Sequence, residues 1–224
     1  MATAKDIGKN LLASAPSIAP GASAVALRKA LDLAIDGAAK VPGAKVTAGN
    51  TLQRTGSAEL AVDQIIKQHV AMAGAQGFIT NLGGIVAMAV TIPANVTGMA
   101  VLQCRMVAAI AHLRGYDIED PRVRSAILMC LLGEQANKSA IERNELPSSA
   151  LAIATAPVHD PALDATISEK VLAKLMGEVG GKRASLLVGK KIPVVGGGVG
   201  MVTDGWATYA TGTFARGQFV TRRR

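Results

Sequence analysis

Eight ionisable side chains crowd one short stretch of this chain: Arg105, His112, Arg114, Asp117, Glu119, Asp120, Arg122 and Arg124. Arg105 and His112 are seven residues apart, which places them on one stripe of a helix. The charges that follow are of both signs. Charges taken out of water need partners, and two arrangements satisfy that need. One is structural pairing that locks two helices together. The other is an anionic-ligand or headgroup site made by Arg105, His112, Asp117 and Arg122. Were the chain an enzyme, Arg105, His112 and Asp117 would be its candidate residues, yet the surrounding sequence holds no catalytic motif. His69, His112 and His159 lie on separate segments without HExxH spacing, and no GxSxG elbow occurs. Gly181-Lys182 is followed by Arg183 and preceded five residues earlier by Met176, so the Walker pattern fails. A GxGxxG starting at Gly198 ends on Thr203. Cys104 and Cys130 sit in apolar helical patterns with no zinc-type spacing. The expectation is no cofactor, no metal, no catalytic residue, and two reduced core thiols.

A second zone is the C-terminus. Four of the six aromatic residues, Trp206, Tyr209, Phe214 and Phe219, fall here, beside Lys190, Lys191, Arg216 and the run Arg222 to Arg224. Rings flanked by cations suit a membrane interface, where amphipathic rings sit at headgroup level and basic residues meet anionic lipid. Lys190, Lys191, Trp206, Tyr209, Phe214 and Arg216 are the candidate contact residues. The competing reading has the rings filling the core and the arginines forming a solvated tail.

These residues must be positioned by helices. Apolar residues recur at three- and four-residue steps after Ser23, a candidate N-cap, up to Pro42-Gly43. A linker of Gly, Thr and Asn runs to Gly56, and Ser57 opens a helix with Val62, Ile65, Ile66, His69, Val70 and Ala73 on its inner face. From Gln68 to Cys104 there is no charged residue for 37 positions. Gly83, Gly84, Pro93 and Gly98 divide this run into pieces too short to span a bilayer as one helix, and they serve as candidate hinges of a Gly-broken hairpin. Core helices, a re-entrant hairpin and true spans are the three readings of such a run. A helix from about Ala94 to Leu113 closes at Gly115, and Asp120-Pro121 opens the next by the N-cap and proline-first rule. A polar passage covers Gly133 to Pro147. Further helices are expected near Ser148–Ala156, Leu163–Met176 and after Gly196, with a short extended piece at Ile192–Val195. The fold expected is all-α: residues 1–22 a partly ordered arm, 23–219 a single helical domain with Gly-rich broken hairpins in its core, and 220–224 a basic tail. Half the residues are apolar but only 3% aromatic, so the core is built from Ala, Val, Leu, Ile and Met. The formal charge of +8 attracts polyanions, lipid or nucleic acid alike. No recognition-helix pattern points to specific nucleic acid.

The run from Ala73 to Gly133 resembles the central signature of the EcsC protein family: a glycine-rich apolar hairpin with a proline, a helix bearing an arginine, a turn of the form "iA..yGyD..dpr" and a "ll.lLG" helix. Arg105, Ala111, Gly115, Tyr116, Asp117, Asp120, Pro121, Arg122 and Leu132-Gly133 stand where that pattern puts them, and Lys191-Ile192-Pro193-Val194-Val195-Gly196 is similar to the family's "k.iP.iG" element. Asp204 departs from an asparagine associated with that region. The resemblance implies a bacterial, mostly helical domain named for an accessory gene beside an ABC exporter, with a more distant likeness to senescence-type domains of lipid-associated proteins. It carries over no catalytic residue. The function expected is a non-enzymatic lipid-binding or lipid-handling accessory protein, cytoplasmic and peripheral to the inner face of the membrane, with anionic lipid as partner. The alternatives are a scaffold binding an ABC transporter subunit and an enzyme acting on a hydrophobic metabolite.

Overall fold

The structure, a computed structural model, describes residues 22–38, 41–74, 94–188 and 196–222. Over these the chain is all-α: α1 (Ala22–Asp36), β1 (Gly37–Ala38), β2 (Val41–Pro42), α2 (Ala44–Thr55), α3 (Ala58–Gly74), α4 (Ala94–Leu113), α5 (Pro121–Leu131), α6 (Gly133–Glu142), α7 (Ala150–Ala154), α8 (Pro161–Val188) and α9 (Gly196–Gln218). Its one β element among the described residues is the two-residue ladder in which Gly37 pairs with Pro42 and Ala38 with Val41, antiparallel. The Gly-broken hairpin with Gly83, Gly84 and Pro93, the extended piece at Ile192–Val195, and most of the N-terminal arm lie outside the described residues.

The middle of the molecule is α4. Every residue from Ala100 to Ala111 is buried, including Gln103 and Arg105. A helix apolar all round must be covered all round; α1, α2, α3, α5, α8 and α9 do this. Gly98 was a candidate hinge, but α4 runs through it unbroken and Gly98 is buried. The helix ends as the sequence dictates. Gly115 takes φ +85°, its N–H bonds to His112 O at 3.0 Å, and Tyr116 N–H bonds to Ala111 O at 3.1 Å. This double closure satisfies carbonyls that the last turn leaves open. Asp120 then caps α5, its carboxylate accepting from the Arg122 N–H at 2.8 Å with Pro121 in the first turn.

Two stretches differ from expectation. The supposed linker after Gly43 is the helix α2, whose inward positions are Ala44, Ala48 and Thr51, spaced by four and three. Thr51 is accommodated because its hydroxyl donates to Thr47 O at 2.8 Å. Likewise the polar passage begins with α6, where only Asn137 and Ala140 are buried, and Asn137 Nδ2 donates to Met129 O and Gly133 O. In both, the buried stripe is made of small or amide residues, so apolar periodicity does not register it. Two smaller differences follow: α1 starts at Ala22, so Ser23 stands inside its first turn, and α8 is longer than expected at both ends.

The turn before α2 has no spare room. A Cβ on Gly43 would stand 2.7 Å from the Asp36 carbonyl carbon and closer still to the Ile35 carbonyl oxygen. These are backbone atoms and cannot rotate away. Gly43→Ala is therefore expected to cost about 3 kcal/mol, read as a lowered urea midpoint with an unchanged m-value.

Glycine also sets the closest helix approach. The α3 and α9 helices run antiparallel, with Gly205 beside Val70, Gly212 beside Ile66, and Arg216 paired with Asp63 at 2.7 Å. A Cβ on Gly212 would meet Ile66 Cγ1 at 2.9 Å and Met106 Sδ at 3.1 Å. Here α3, α4 and α9 meet.

Candidate functional site

The four residues proposed as a ligand or headgroup site do not share one set of partners. Arg105 is 4% exposed, inside the bundle. Its Nε–H donates to His69 Nε2 at 3.1 Å, Nη1 to Pro42 O at 3.4 Å, and Nη2 to Met72 Sδ at 3.3 Å. His112, two turns on, is exposed. The one-stripe geometry is right, but that stripe is covered at 105 and exposed at 112, although Ile110 and Ala111 beside it are buried. Asp117 is exposed in the α4–α5 turn, its Oδ1 accepting from the Glu119 N–H at 3.1 Å. Arg122 grips Asp120 through Nε and Nη2 and donates Nη1 to Ala156 O; this pairing holds the Asp120 carboxyl below its ordinary range. Structural pairing accounts for the neighbouring charges too. Arg124 pairs with Asp32 and with Glu119 at 3.8 Å, and Lys45 reaches Glu119 at 2.7 Å, tying the turn to α1 and α2.

The His69–Arg105 contact fixes a tautomer. Ile65 O, 2.8 Å from Nδ1, can only accept, so Nδ1 carries the proton; the Arg105 Nε–H can only donate, so Nε2 is bare. His69 is held neutral by complete burial first and by the adjacent Arg105 cation second, which push its pKa down to about 3. Burial likewise lowers Arg105 to about 10. Cys104 and Cys130 are fully buried, and burial pushes the Cys104 thiol up to about 12, so neither behaves as a nucleophile.

At the other end of α4 a clasp secures the C-terminal residues. Arg114 pairs with Glu59 at 2.5 Å and donates to Thr221 Oγ1 at 2.6 Å, while its carbonyl accepts from the Arg222 N–H at 3.0 Å. Arg222 lies over the Tyr116 ring, 5.3 Å from its centroid, and Phe219 meets that ring edge-on at 5.0 Å. The basic tail is thus docked as far as Arg222. Sequence reading placed Arg114 among the paired charges but could not see Thr221 or Glu59 as its partners, because they lie 107 and 55 residues away.

The model of the EcsC protein family matches residues 21–223. The chain belongs to the EcsC protein family. No curated protein and no solved structure matches it. Within this EcsC chain the aromatic zone divides in two. Trp206 is 70% and Tyr209 49% exposed, their rings tilted together at 6.1 Å, whereas Phe219 is fully buried. Phe214, expected as a contact residue, is partly buried and packed against the core. Arg216 is engaged with Asp63. Arg222 lies beyond the far end of the helix, which runs ~18 Å past Trp206 at 1.5 Å per residue, so the exposed rings and Arg222 form no single patch. Lys190 and Lys191 lie outside the described residues; in sequence they precede Gly196 by six and five positions. The stretch 178–195 holds four cations, Lys182, Arg183, Lys190 and Lys191, against one acid, Glu178. Among the described residues no group of His, Cys, Asp and Glu could hold a metal ion, and no helix is long and apolar enough to cross a membrane.

Proposed function

We propose that this EcsC-family chain is a membrane-surface-associated accessory protein that binds or handles lipid, cytoplasmic and peripheral to the inner face of the membrane. The observation that carries the reading is the Trp206–Tyr209 pair, two large rings held side by side in water on the outer face of α9. Isolated apolar residues on a surface are ordinary; adjacent aromatic rings with a polar tip suit the headgroup layer. Support also comes from the uncharged run Gly205 to Ala215, which carries no ion into that layer, and from the cations that precede α9 in the chain.

Trp206 is the sole tryptophan, so its emission reports its own surroundings. With vesicles rich in anionic lipid at low salt, the emission is expected to shift to the blue and to be quenched by brominated acyl chains. Trp206→Ala with Tyr209→Ala is expected to lower vesicle partitioning about tenfold or more, since burying one such ring contributes about 1.5–3 kcal/mol and 1.4 kcal/mol is tenfold. Unchanged emission together with no co-sedimentation at low salt would overturn the reading. A scaffold for a transporter subunit would need that partner to reach the membrane; binding to pure lipid separates the two.

A further inference from the structure

The outer face of α9 has a neighbour. On α3, Leu60, Gln64, Lys67 and Ala71 are all exposed and are spaced by four, three and four, which makes them one stripe of that helix. On α9 the exposed stripe runs from Trp206 through Tyr209 to Thr213. The two stripes lie side by side, because the helices run antiparallel with Gly205 beside Val70, Gly212 beside Ile66 and Arg216 bonded to Asp63. Lys67, between Ile66 and Val70, therefore comes level with Tyr209, between Gly212 and Gly205. Charge is almost absent from this double face. From Gln64 to Gly74 and from Gly205 to Ala215 the one charged side chain is Lys67, with His69 neutral, in a chain whose residues are 18% charged. Asp63 and Glu59, the acids nearest it along α3, are held by Arg216 and Arg114. Among the described residues Lys67 has no acid partner.

We propose that α3 shares the membrane contact with α9: the two helices lie along an anionic lipid surface, with Lys67 meeting a headgroup and the Trp206 and Tyr209 rings beside it. The proposal rests on the lipid-surface reading of those two rings and adds the second helix and the cation. Charge complementarity selects the occupant. A second copy of this chain, docked by the same face about a two-fold axis, would bring another Lys67 and no free carboxylate, so each ammonium would be stripped of water with nothing to replace it. An anionic headgroup layer supplies the missing charge and leaves the ammonium wet. The methylenes of Lys67 and the two rings then rest on its apolar edge, the position that long basic side chains and amphipathic rings favour. The rest of the α3 stripe fits the same layer: Leu60 and Ala71 are apolar, and Gln64 carries no charge to desolvate.

Cys104 and Cys130 are buried, so a thiol-reactive fluorophore attaches only at an introduced cysteine. In the full chain, Gln64→Cys and Ala71→Cys each place a polarity-sensitive dye on the α3 stripe. Val25→Cys places it on α1, an exposed apolar site on a helix that packs on α4 and α8. With phosphatidylglycerol vesicles at low salt, the dye is expected to brighten and shift to the blue at positions 64 and 71 and to stay unchanged at 25. Lys67→Glu is expected to weaken partitioning into these vesicles about tenfold or more, since it replaces an attracted charge by a repelled one. A blue shift of Trp206 with silent dyes at 64 and 71 would overturn the proposal and leave the membrane reading standing; no response from Trp206 or any dye would sink both. Undiminished binding of Lys67→Glu would also overturn it. So would dyes at 64 and 71 that brighten with protein concentration in the absence of lipid, which would make the occupant a second copy. Circular dichroism of each variant confirms that folded chains are compared.

Discussion

Between pH 7 and pH 5 the protein is expected to lose about 2 kcal/mol of stability through His69 alone. The folded chain keeps this imidazole neutral, because protonating Nε2 would set a donor against the Arg105 Nε–H, and its pKa falls to about 3. The unfolded chain takes up the proton near the ordinary value of about 6.5. The folded pKa is the depressed one, so the contribution is complete above pH 6.5 and declines by about 1.4 kcal/mol per unit as pH falls toward 3. Carboxylates with lowered values, such as Glu145 held near 2 by Arg143 and then Lys170, act only further into acid. Urea unfolding at pH 7.5, 6.5, 5.5 and 5.0 isolates the histidine. His69→Gln is expected to be less stable at pH 7.5 yet to lose the slope between pH 6.5 and 5; a slope that survives the substitution would sink the assignment.

Phe219→Ala carries the other large expectation, a cost of about 3–5 kcal/mol. The ring is fully buried at the end of α9 and packs edge-on against Tyr116, whose position follows from the closure at Gly115. Removing it leaves a hole at the junction of α4, α5 and the C-terminal residues, and it weakens the seat of Arg222 over Tyr116. Set against a typical total of 5–15 kcal/mol, the loss is large enough to shift a thermal melt by many degrees. Phe214→Ala, from a half-buried ring on the same helix, is expected to cost clearly less. Equal losses would show that Phe219 is no anchor.

What could be read in the sequence follows from which signals are local. Asp120-Pro121 and Gly115 act on neighbouring N–H and C=O groups, so the helix ends they define stand where they were expected; Ser149, not singled out in the sequence, caps α7 in the same local way, its hydroxyl accepting from the Ala152 N–H at 3.3 Å. Helix α4 was legible because its faces are apolar throughout. Helix α2 was not, because Ala44, Ala48 and Thr51 pack by being small rather than by being hydrophobic. The mixture of charges from Arg105 to Arg124 was visible, and pairing is what most of it does, but the partners Asp32, Lys45, Glu59 and His69 come from other helices. Separating Trp206 and Tyr209 from Phe214 and Phe219 needed the orientation of α9 against α3 and α4, which aromatic content alone does not supply.

The place of α9 in the chain has a consequence for synthesis. It seals Ile66 and Met106 through the tight approach at Gly212, yet a ribosome working from the N-terminus releases it roughly a hundred residues after the central helix it covers. During that interval the nascent chain presents a greasy flank with nothing to cover it. Chaperone demand should therefore peak late in translation and end only when Phe219 has cleared the exit tunnel.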